Sequence, residues 1–178
     1  MKQIKLHLGC GKKYIPGFIH IDIEKYDHID YNTDASDLHM FKDNSVDLIY
    51  SAHLLEHYKR RDIDTVLKEW YRVLKPDGTL RLAVPDFEAL IKIYNKYKDL
   101  EMIMGPLYGN NGKLDSHYIT FDFRYLCKRL RLIGFKNIQR YNWRETIHKN
   151  YDDYSQSYIP HLDKENGILI SLNVEATK

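Results

Sequence analysis

Cysteine is scarce in this chain, and so are glycine and proline. Of 178 residues only Cys10 and Cys127 are cysteines, which excludes a disulfide framework and leaves too few thiolates for a structural zinc site. Nine glycines and five prolines argue against a collagen-like or low-complexity chain. The composition is that of a folded globular protein, and the two thiols fit a reducing compartment.

Long apolar runs are also missing. No run of 18 apolar residues occurs, and the first residues lead into a strand-like pattern without the apolar core of a secretion signal. We therefore expect a cytoplasmic protein without membrane insertion. The length fits a single domain, residues 1–178.

Neither sign of charge is in large excess. The formal net charge of +2 is too small to require a polyanionic partner, so we expect no nucleic-acid binding. Seven basic residues nevertheless gather in one C-terminal stretch, namely Arg124, Lys128, Arg129, Arg131, Lys136, Arg140 and Arg144. Such a stretch is typical of a solvated helix face, and it would also suit a phosphate-bearing substrate.

Short apolar strands alternate with amphipathic helices along the chain. Strands are predicted at residues 4–8, 18–22, 46–50, 79–84, 137–142 and 168–176, with a weaker candidate at 28–34. Helices are predicted at 62–75, after Asp86, and from Phe123 to a C-cap at Gly134. This alternation predicts a mostly parallel sheet with helices on both faces, in which the last two strands form a C-terminal antiparallel β-hairpin.

One segment lacks a clear periodic pattern. Residues 101–118 contain Gly105-Pro106 and the run Gly109-Asn110-Asn111-Gly112, which predict a long loop. Loops of this length are uncommon in a small domain unless they serve a function, so a substrate-facing lid is one interpretation.

A glycine turn follows the first predicted strand. Gly9-Cys10-Gly11 lets a ligand approach bare backbone, and Asp22 ends the second strand, where a carboxylate can accept both hydroxyls of a ribose. A Gly-x-Gly turn alone is a weak signal, since a purely structural turn explains it equally well. Its position between two predicted strands strengthens the functional interpretation.

The surrounding motifs occur together, in a recognisable order. They are Leu6-His7-Leu8-Gly9-Cys10-Gly11, Pro16-Gly17-Phe18-Ile19-His20-Ile21-Asp22, Asp34-Ala35-Ser36-Asp37-Leu38, Asn44-Ser45-Val46-Asp47-Leu48-Ile49-Tyr50-Ser51, Leu55-Glu56-His57 and Arg72-Val73-Leu74-Lys75-Pro76-Asp77-Gly78. In these motifs the sequence resembles the class I S-adenosylmethionine-dependent methyltransferases, particularly small bacterial predicted members of the type 11 kind. The resemblance implies a Rossmann-like fold and S-adenosyl-L-methionine as cofactor, with S-adenosyl-L-homocysteine as product.

The resemblance also implies roles for individual residues. Residues 1–86 would form the cofactor-binding half and 87–178 the substrate side. The implied cofactor residues are Leu8, Gly9, Cys10, Gly11, Asp22, Asp34, Ala35, Ser51 and His53. Gly9 to Gly11 would pass under the methionine part and Asp22 would hold the ribose, while Asp34 with Ala35 would meet the adenine and Ser51 to His53 would border the cofactor.

Two features depart from the wider pattern. Gly9 and Asp22 are only 13 residues apart, where a dinucleotide fold leaves about 20, so no full helix fits between the first two strands. Asp77 stands where the turn commonly has another glycine, and aspartate tolerates such turn geometry.

Methyl transfer needs alignment more than a nucleophile, because the cofactor's sulfonium is already an activated leaving group. A hydroxyl acceptor must lose its proton, so a base would help. The candidates are His53, His57, His117 and Asp153, of which we expect His53 and His117 to be catalytic and His57 to be structural. No His or Cys pair has zinc spacing along the chain, so we expect no catalytic metal.

The acceptor is expected to be a small molecule or a glycan, methylated on oxygen, with a role in surface polysaccharide synthesis. The oligomeric state stays open. A nicotinamide dehydrogenase is disfavoured because the turn lacks the third glycine of that fingerprint. An aminopropyltransferase lacks an acidic polyamine motif. A catalytically silent cofactor-binding module is the stronger rival, although the presence of both Asp22 and Asp34 argues against it.

Overall fold

The fold is organised around a seven-stranded, mostly parallel sheet. The computed structural model describes residues 3–110, 112 and 114–178. The strands are β1 (Lys5–Leu8), β2 (Ile19–Asp22), β3 (Tyr31–Asn32), β4 (Val46–Ala52), β5 (Leu74–Pro85), β6 (Lys136–Arg140) and β9 (Ser171–Thr177). Their order is β3-β2-β1-β4-β5-β9-β6, and β9 runs antiparallel between β5 and β6. The predicted parallel sheet with a C-terminal antiparallel hairpin is confirmed.

The described residues also form four α-helices and a small second sheet. The helices are α1 (Ile63–Val73), α2 (Phe87–Tyr97), α3 (Glu101–Tyr108) and α4 (Phe123–Ile133). Three 3₁₀ helices span Leu55–His57, Trp143–Glu145 and Tyr154–Gln156. Strands β7 (Tyr158–Ile159) and β8 (Ile168–Leu169) form the second, antiparallel sheet. Among the described residues, no helix combines the length and apolar character needed to cross a membrane.

Alternation along the strands gives the large sheet two different faces. Leu6, Leu80 and Leu82 belong to the main apolar core, which also contains the buried side chains of α1 and α4. The next residues along, such as His7 and Arg81, lie on the opposite face, since successive side chains of a strand point to opposite sides. That face is polar and aromatic, and it is covered by the segment after β1 and by the last two 3₁₀ helices.

The short connection between β1 and β2 contains no helix, as its length predicted. Ile15 and Phe18 are buried together with Tyr50 of β4, so the connection packs directly on the sheet. The backbone N–H of Ile15 donates to His20 Nε2 at 3.0 Å, which holds the connection to β2. A packed loop therefore replaces the helix that a longer connection would supply.

The prediction that residues 101–118 form a loop throughout was wrong. Helix α3 occupies Glu101–Tyr108 and includes Pro106, which cannot donate a backbone hydrogen bond. Ile103 is buried in a cluster shared with α2 and the β7–β8 sheet. Burial of this apolar side outweighs the poor helix propensity of Gly105 and Pro106. Of the predicted loop, Asn111 and Lys113 lie outside the described residues.

Candidate functional site

The glycine turn lies at the carboxyl end of β1, in the middle of the sheet. Gly9 and Gly11 have φ values of +61° and +50°, in the left-handed region that favours glycine. The N–H of Gly9 donates to Ile21 O at 2.9 Å, so the turn is tied to β2. A Cβ on Gly9 would meet the Leu54 side chain at 2.7 Å, whereas a Cβ on Gly11 would meet nothing within 4 Å. The turn thus presents open backbone at Gly11.

Asp22 links this turn to the end of β2. Its Oδ2 accepts from the N–H of Gly11 at 2.7 Å, and its Oδ1 accepts from the N–H of Glu24 at 2.8 Å. Each carboxylate oxygen has about two acceptor positions, so each can still accept one hydroxyl. The turn and the carboxylate therefore fit the ribose and methionine parts of the expected cofactor.

The expected adenine residues follow β3. Asp34 is exposed, and its Oδ1 accepts from Tyr58 Oη at 2.7 Å and from the N–H of Ser36 at 2.7 Å. Burial and the hydrogen bond to Asp34 raise the pKa of Tyr58, so the phenol stays protonated and donates. Ala35 is buried, and its carbonyl accepts from Trp70 Nε1 at 2.8 Å. The sequence analysis missed Tyr58, because no pattern links it to Asp34.

Three other expected cofactor residues are buried. Leu8 is fully buried in the main core, so only its backbone can face a ligand. Burial raises the pKa of the Cys10 thiol to about 12, which keeps it protonated and unreactive at neutral pH. Ser51 is also fully buried, and its Oγ has no hydrogen-bond partner within the described part of the chain.

A cleft of about 270 Å³ opens beside the end of β4. Its lining is His53, His57, Gly105, Pro106, Asn110, Asp115, His117, Tyr154, Ser157, Tyr158, Ile159, His161 and Ile170. These residues come from the turn after β4, from α3 and the loop behind it, and from the connection to β9. The cleft brings together His53 and His117, the two residues predicted to be catalytic. Five of the lining residues, Gly105, Pro106, Asn110, Asp115 and His117, belong to the segment for which a substrate-facing lid was one interpretation.

His53 adopts a positive φ of 53° directly after β4. Its Nε2 lies 3.1 Å from Ser171 Oγ, and its Nδ1 lies 3.3 Å from Glu56 Oε1. Burial, with the nearby His117 and His57 rings, lowers the pKa of His53 to about 3, so the ring is neutral. A ring of such low basicity positions its neighbours better than it accepts a proton.

The rings of His117 and His57 are in edge-to-face contact in the wall of the cleft, with ring centroids 4.9 Å apart. Nδ1 of His117 lies 2.9 Å from the carbonyl of Pro106, and Nδ1 of His57 lies 3.2 Å from the carbonyl of Ser116. Burial lowers the pKa of His117. His57, which we expected to be purely structural, is thus part of the cleft wall.

Glu56 is the residue that sequence reasoning missed at this site. Its side chain is fully buried, and neither carboxylate oxygen has a hydrogen-bond partner in the part of the chain described. Burial raises the pKa of Glu56 to about 8. The Leu-Glu-His motif contained a signal for this residue. A glutamate inside a short helix that packs on the core becomes buried, and a buried carboxylate needs a polar or charged partner.

Asp153 is not free to act as a base. Its Oδ2 accepts from Tyr50 Oη at 2.5 Å, and its Oδ1 accepts from the N–H of Ser155 at 2.9 Å. It caps the 3₁₀ helix Tyr154–Gln156 and ties that helix to β4. Its position therefore indicates a structural role.

The basic stretch at the C-terminal side is partly neutralised. Arg129 pairs with Asp64, and Arg140 pairs with Asp86 and Glu88. None of the seven basic residues lines the cleft. These pairings favour a structural interpretation over a phosphate site.

A glycine turn at the end of the first strand, an acid at the end of the second and the observed strand order define a class I methyltransferase architecture. A family model described as a methyltransferase domain matches residues 6–82. The C-methyltransferase UbiE of ubiquinone/menaquinone biosynthesis from Pseudoalteromonas translucida (strain TAC 125) is 33% identical over 109 residues. That alignment covers 59% of this chain and 39% of the relative, so the chain spans well under half the relative's length.

Solved structures show the same fold over nearly the whole chain. A SAM-dependent methyltransferase from Archaeoglobus fulgidus has a TM-score of 0.61 at 17% identity, covering 99% of this chain and 86% of that one. The 1,6-didemethyltoxoflavin-N1-methyltransferase of Burkholderia thailandensis, solved with its substrate and S-adenosylhomocysteine, has a TM-score of 0.59 at 14% identity, covering 98% and 70%. The chain therefore has the fold of the class I S-adenosylmethionine-dependent methyltransferases, and residues 6–82 match a model of the methyltransferase domain.

Proposed function

We propose that this protein transfers a methyl group from S-adenosyl-L-methionine to a hydroxyl of a small-molecule or glycan acceptor. One observation carries the proposal: the open glycine turn with Asp22 and the histidine-lined cleft lie at the same edge of the sheet. Both follow carboxyl ends of neighbouring parallel strands, β1 and β4, where open α/β sheets bind their ligands.

The two halves of the chain divide the work in this proposal. Residues 1–86 supply the glycine turn, Asp22, Asp34 and one wall of the cleft. Residues 87–178 supply the other walls through α3, the loop behind it and the connection to β9. The cofactor would bring the methyl group on a positively charged sulfur, and the protein would align it with an acceptor in the cleft.

His117 is the better placed of the two proposed catalytic histidines. Because a carbonyl can only accept, the contact with Pro106 makes Nδ1 the protonated nitrogen of the neutral ring. Nε2 then keeps a lone pair for the hydroxyl proton. His53, whose two nitrogens contact Ser171 and Glu56, would position the wall of the site.

Three observations bear on acceptor and location. The cleft volume of about 270 Å³ suits one sugar ring or a similar small molecule. Its walls combine imidazoles, hydroxyls, one amide and one carboxylate with apolar residues, which favours a hydroxyl-bearing acceptor such as a precursor of a surface polysaccharide. Both cysteines are free, which supports the expected cytoplasmic location.

The first test is isothermal titration of the protein with S-adenosylmethionine and with S-adenosylhomocysteine. We expect micromolar binding of both ligands, and loss of about 2 kcal/mol or more of binding free energy in Asp22→Asn, because a charge-assisted acceptor is removed. Asp27→Asn is the matched control, since Asp27 is exposed on the next turn of chain. Absence of binding to either ligand would refute the proposal.

The rival is a methyltransferase-like module that binds the cofactor without turnover. The same titration followed by a screen of hydroxylated acceptors for S-adenosylhomocysteine release separates the two. Tight binding with no release on any acceptor class would favour the silent module.

A further inference from the structure

We propose that Glu56, His57 and His117 form a binding site for one divalent transition-metal ion of the Zn²⁺ type in the wall of the cleft. This inference rests on the proposed function, because the ion would lie where the acceptor hydroxyl binds. The expectation of no catalytic metal came from spacing along the chain. His57 and His117 are 60 residues apart in sequence and meet only in the fold.

The three side chains converge on one point. Each offers one ligand atom, and these atoms all lie within 4.8 Å of one another. Ligand atoms of a tetrahedral ion at about 2.0–2.2 Å lie about 3.3–3.6 Å apart. Binding one ion therefore requires rotation of the side chains towards one another. The backbone holds the two segments together, since the N–H of Tyr118 donates to the carbonyl of Glu56 at 2.8 Å.

Both histidines are oriented as metal ligands usually are. Nδ1 of His57 faces the Ser116 carbonyl and Nδ1 of His117 faces the Pro106 carbonyl, so both rings carry their proton on Nδ1. Nε2 of each ring is left with an unshared lone pair. A backbone carbonyl on the far nitrogen is the arrangement that fixes ring orientation and tautomer in metal sites.

Glu56 supplies the independent observation that a cation belongs here. A fully buried carboxyl with both oxygens free of hydrogen bonds is costly, and proteins retain such a group when it is paired or binds a metal. His53 lies within ion-pair distance of Oε1 but does not satisfy it by a hydrogen bond. A divalent ion would compensate the buried carboxylate.

The donor set selects the kind of ion. Two imidazoles and one carboxylate suit Zn²⁺ and its first-row neighbours, whereas Mg²⁺ and Ca²⁺ prefer oxygen ligands alone. Three protein ligands leave a coordination position open towards the cleft. An acceptor oxygen bound there would be held in place and made more acidic. The ion would then replace the proton acceptance proposed for His117, because Nε2 of His117 would be a metal ligand.

The test is a titration of metal-free protein with Co²⁺, followed by visible absorption, with Zn²⁺ as competitor. We expect one ion per chain, displaced by Zn²⁺, and binding weakened tenfold or more in His117→Ala and in Glu56→Gln. His161→Ala is the matched control, because His161 lines the same cleft but does not belong to the three-residue group. Circular dichroism of each variant checks that the fold is retained.

The outcomes separate this inference from the proposed function. Failure to bind Co²⁺, binding unchanged in both ligand variants, or preference for Mg²⁺ over Zn²⁺ would each overturn the metal site. Binding of S-adenosylmethionine without a metal would leave the methyltransferase proposal intact. Metal binding by a protein that binds neither cofactor form would keep the site and refute the function.

Discussion

At the scale of single residues, several polar residues of the sequence motifs have a structural role. Their side chains bind backbone groups and neighbouring charges of the protein itself. Asp47 accepts from the N–H of Ile4 at 2.8 Å and from Lys75 Nζ at 2.7 Å, which joins β4 to the residue before β1 and to the start of β5. Arg72 reaches Glu69, Asp43 and two carbonyls of the segment before β4. Asp77 takes a φ of +61°, so aspartate fills the glycine position of the turn as expected.

Gly9 contributes both to the stability of the fold and to the shape of the expected cofactor site. In Gly9→Ala, the new Cβ would combine a positive φ with a 2.7 Å approach to Leu54. We expect a loss of roughly 1–3 kcal/mol in unfolding free energy from backbone strain and overpacking, together with weaker cofactor binding. Urea denaturation and titration with S-adenosylhomocysteine measure the two effects.

Gly17→Ala is the control for this prediction. Gly17 also has a positive φ, of +81°, but a Cβ there would meet nothing within 4 Å. It should lose stability through strain alone and keep its cofactor affinity. Equal behaviour of the two variants would show that the Leu54 contact does not constrain the turn.

At the scale of elements, the helices differ in whether an N-cap side chain stabilises their first turn. The N-cap Asp122 of α4 accepts from the N–H of Tyr125 at 2.6 Å. Asp62 has the same place before α1 but makes no capping hydrogen bond. Helix α1 relies instead on five buried apolar side chains, Ile63, Val66, Leu67, Trp70 and Val73. Both helices have an aspartate at the N-cap position, and only the side-chain geometry separates the two.

This difference predicts unequal effects of the same substitution. Asp122→Ala should lower the unfolding free energy by about 1 kcal/mol, because an N-cap acceptor is lost. Asp62→Ala should change it by less than about 0.5 kcal/mol, as is usual for surface substitutions. Chemical denaturation of both variants gives the comparison, and an equal loss would contradict the structural distinction.

At the scale of the whole molecule, the polar face of the sheet contains several buried histidines. Burial lowers the pKa of His7 to about 3 and that of His148 to about 4. His148 is fully buried, and its ring lies against that of Tyr50 in a tilted arrangement with ring centroids 3.9 Å apart. These rings remain neutral in the folded protein, whereas they would bind protons near pH 6.5 once exposed.

The protein should therefore lose stability on mild acidification. Between pH 6.5 and about 4 the unfolded chain binds more protons at these histidines than the folded chain does. Stability is then fully present above pH 6.5 and falls as the pH drops towards the folded-state values. Denaturation midpoints measured from pH 7.5 to pH 4.5 should decline, and less steeply in His148→Gln than in the exposed-site control His161→Gln. An unchanged slope in His148→Gln would refute this account.

The sequence by itself determined the strand and helix alternation, the glycine turn, the acid at the end of β2 and the acid after β3, and hence the class of fold. These features are local, since period, turn chemistry and motif order are read within short windows. Only the tertiary structure decided that α3 is helical despite Gly105 and Pro106, and that Asp153 caps a helix. It also brought Glu56, His57 and His117 together, because contacts between distant segments leave no pattern in a single sequence.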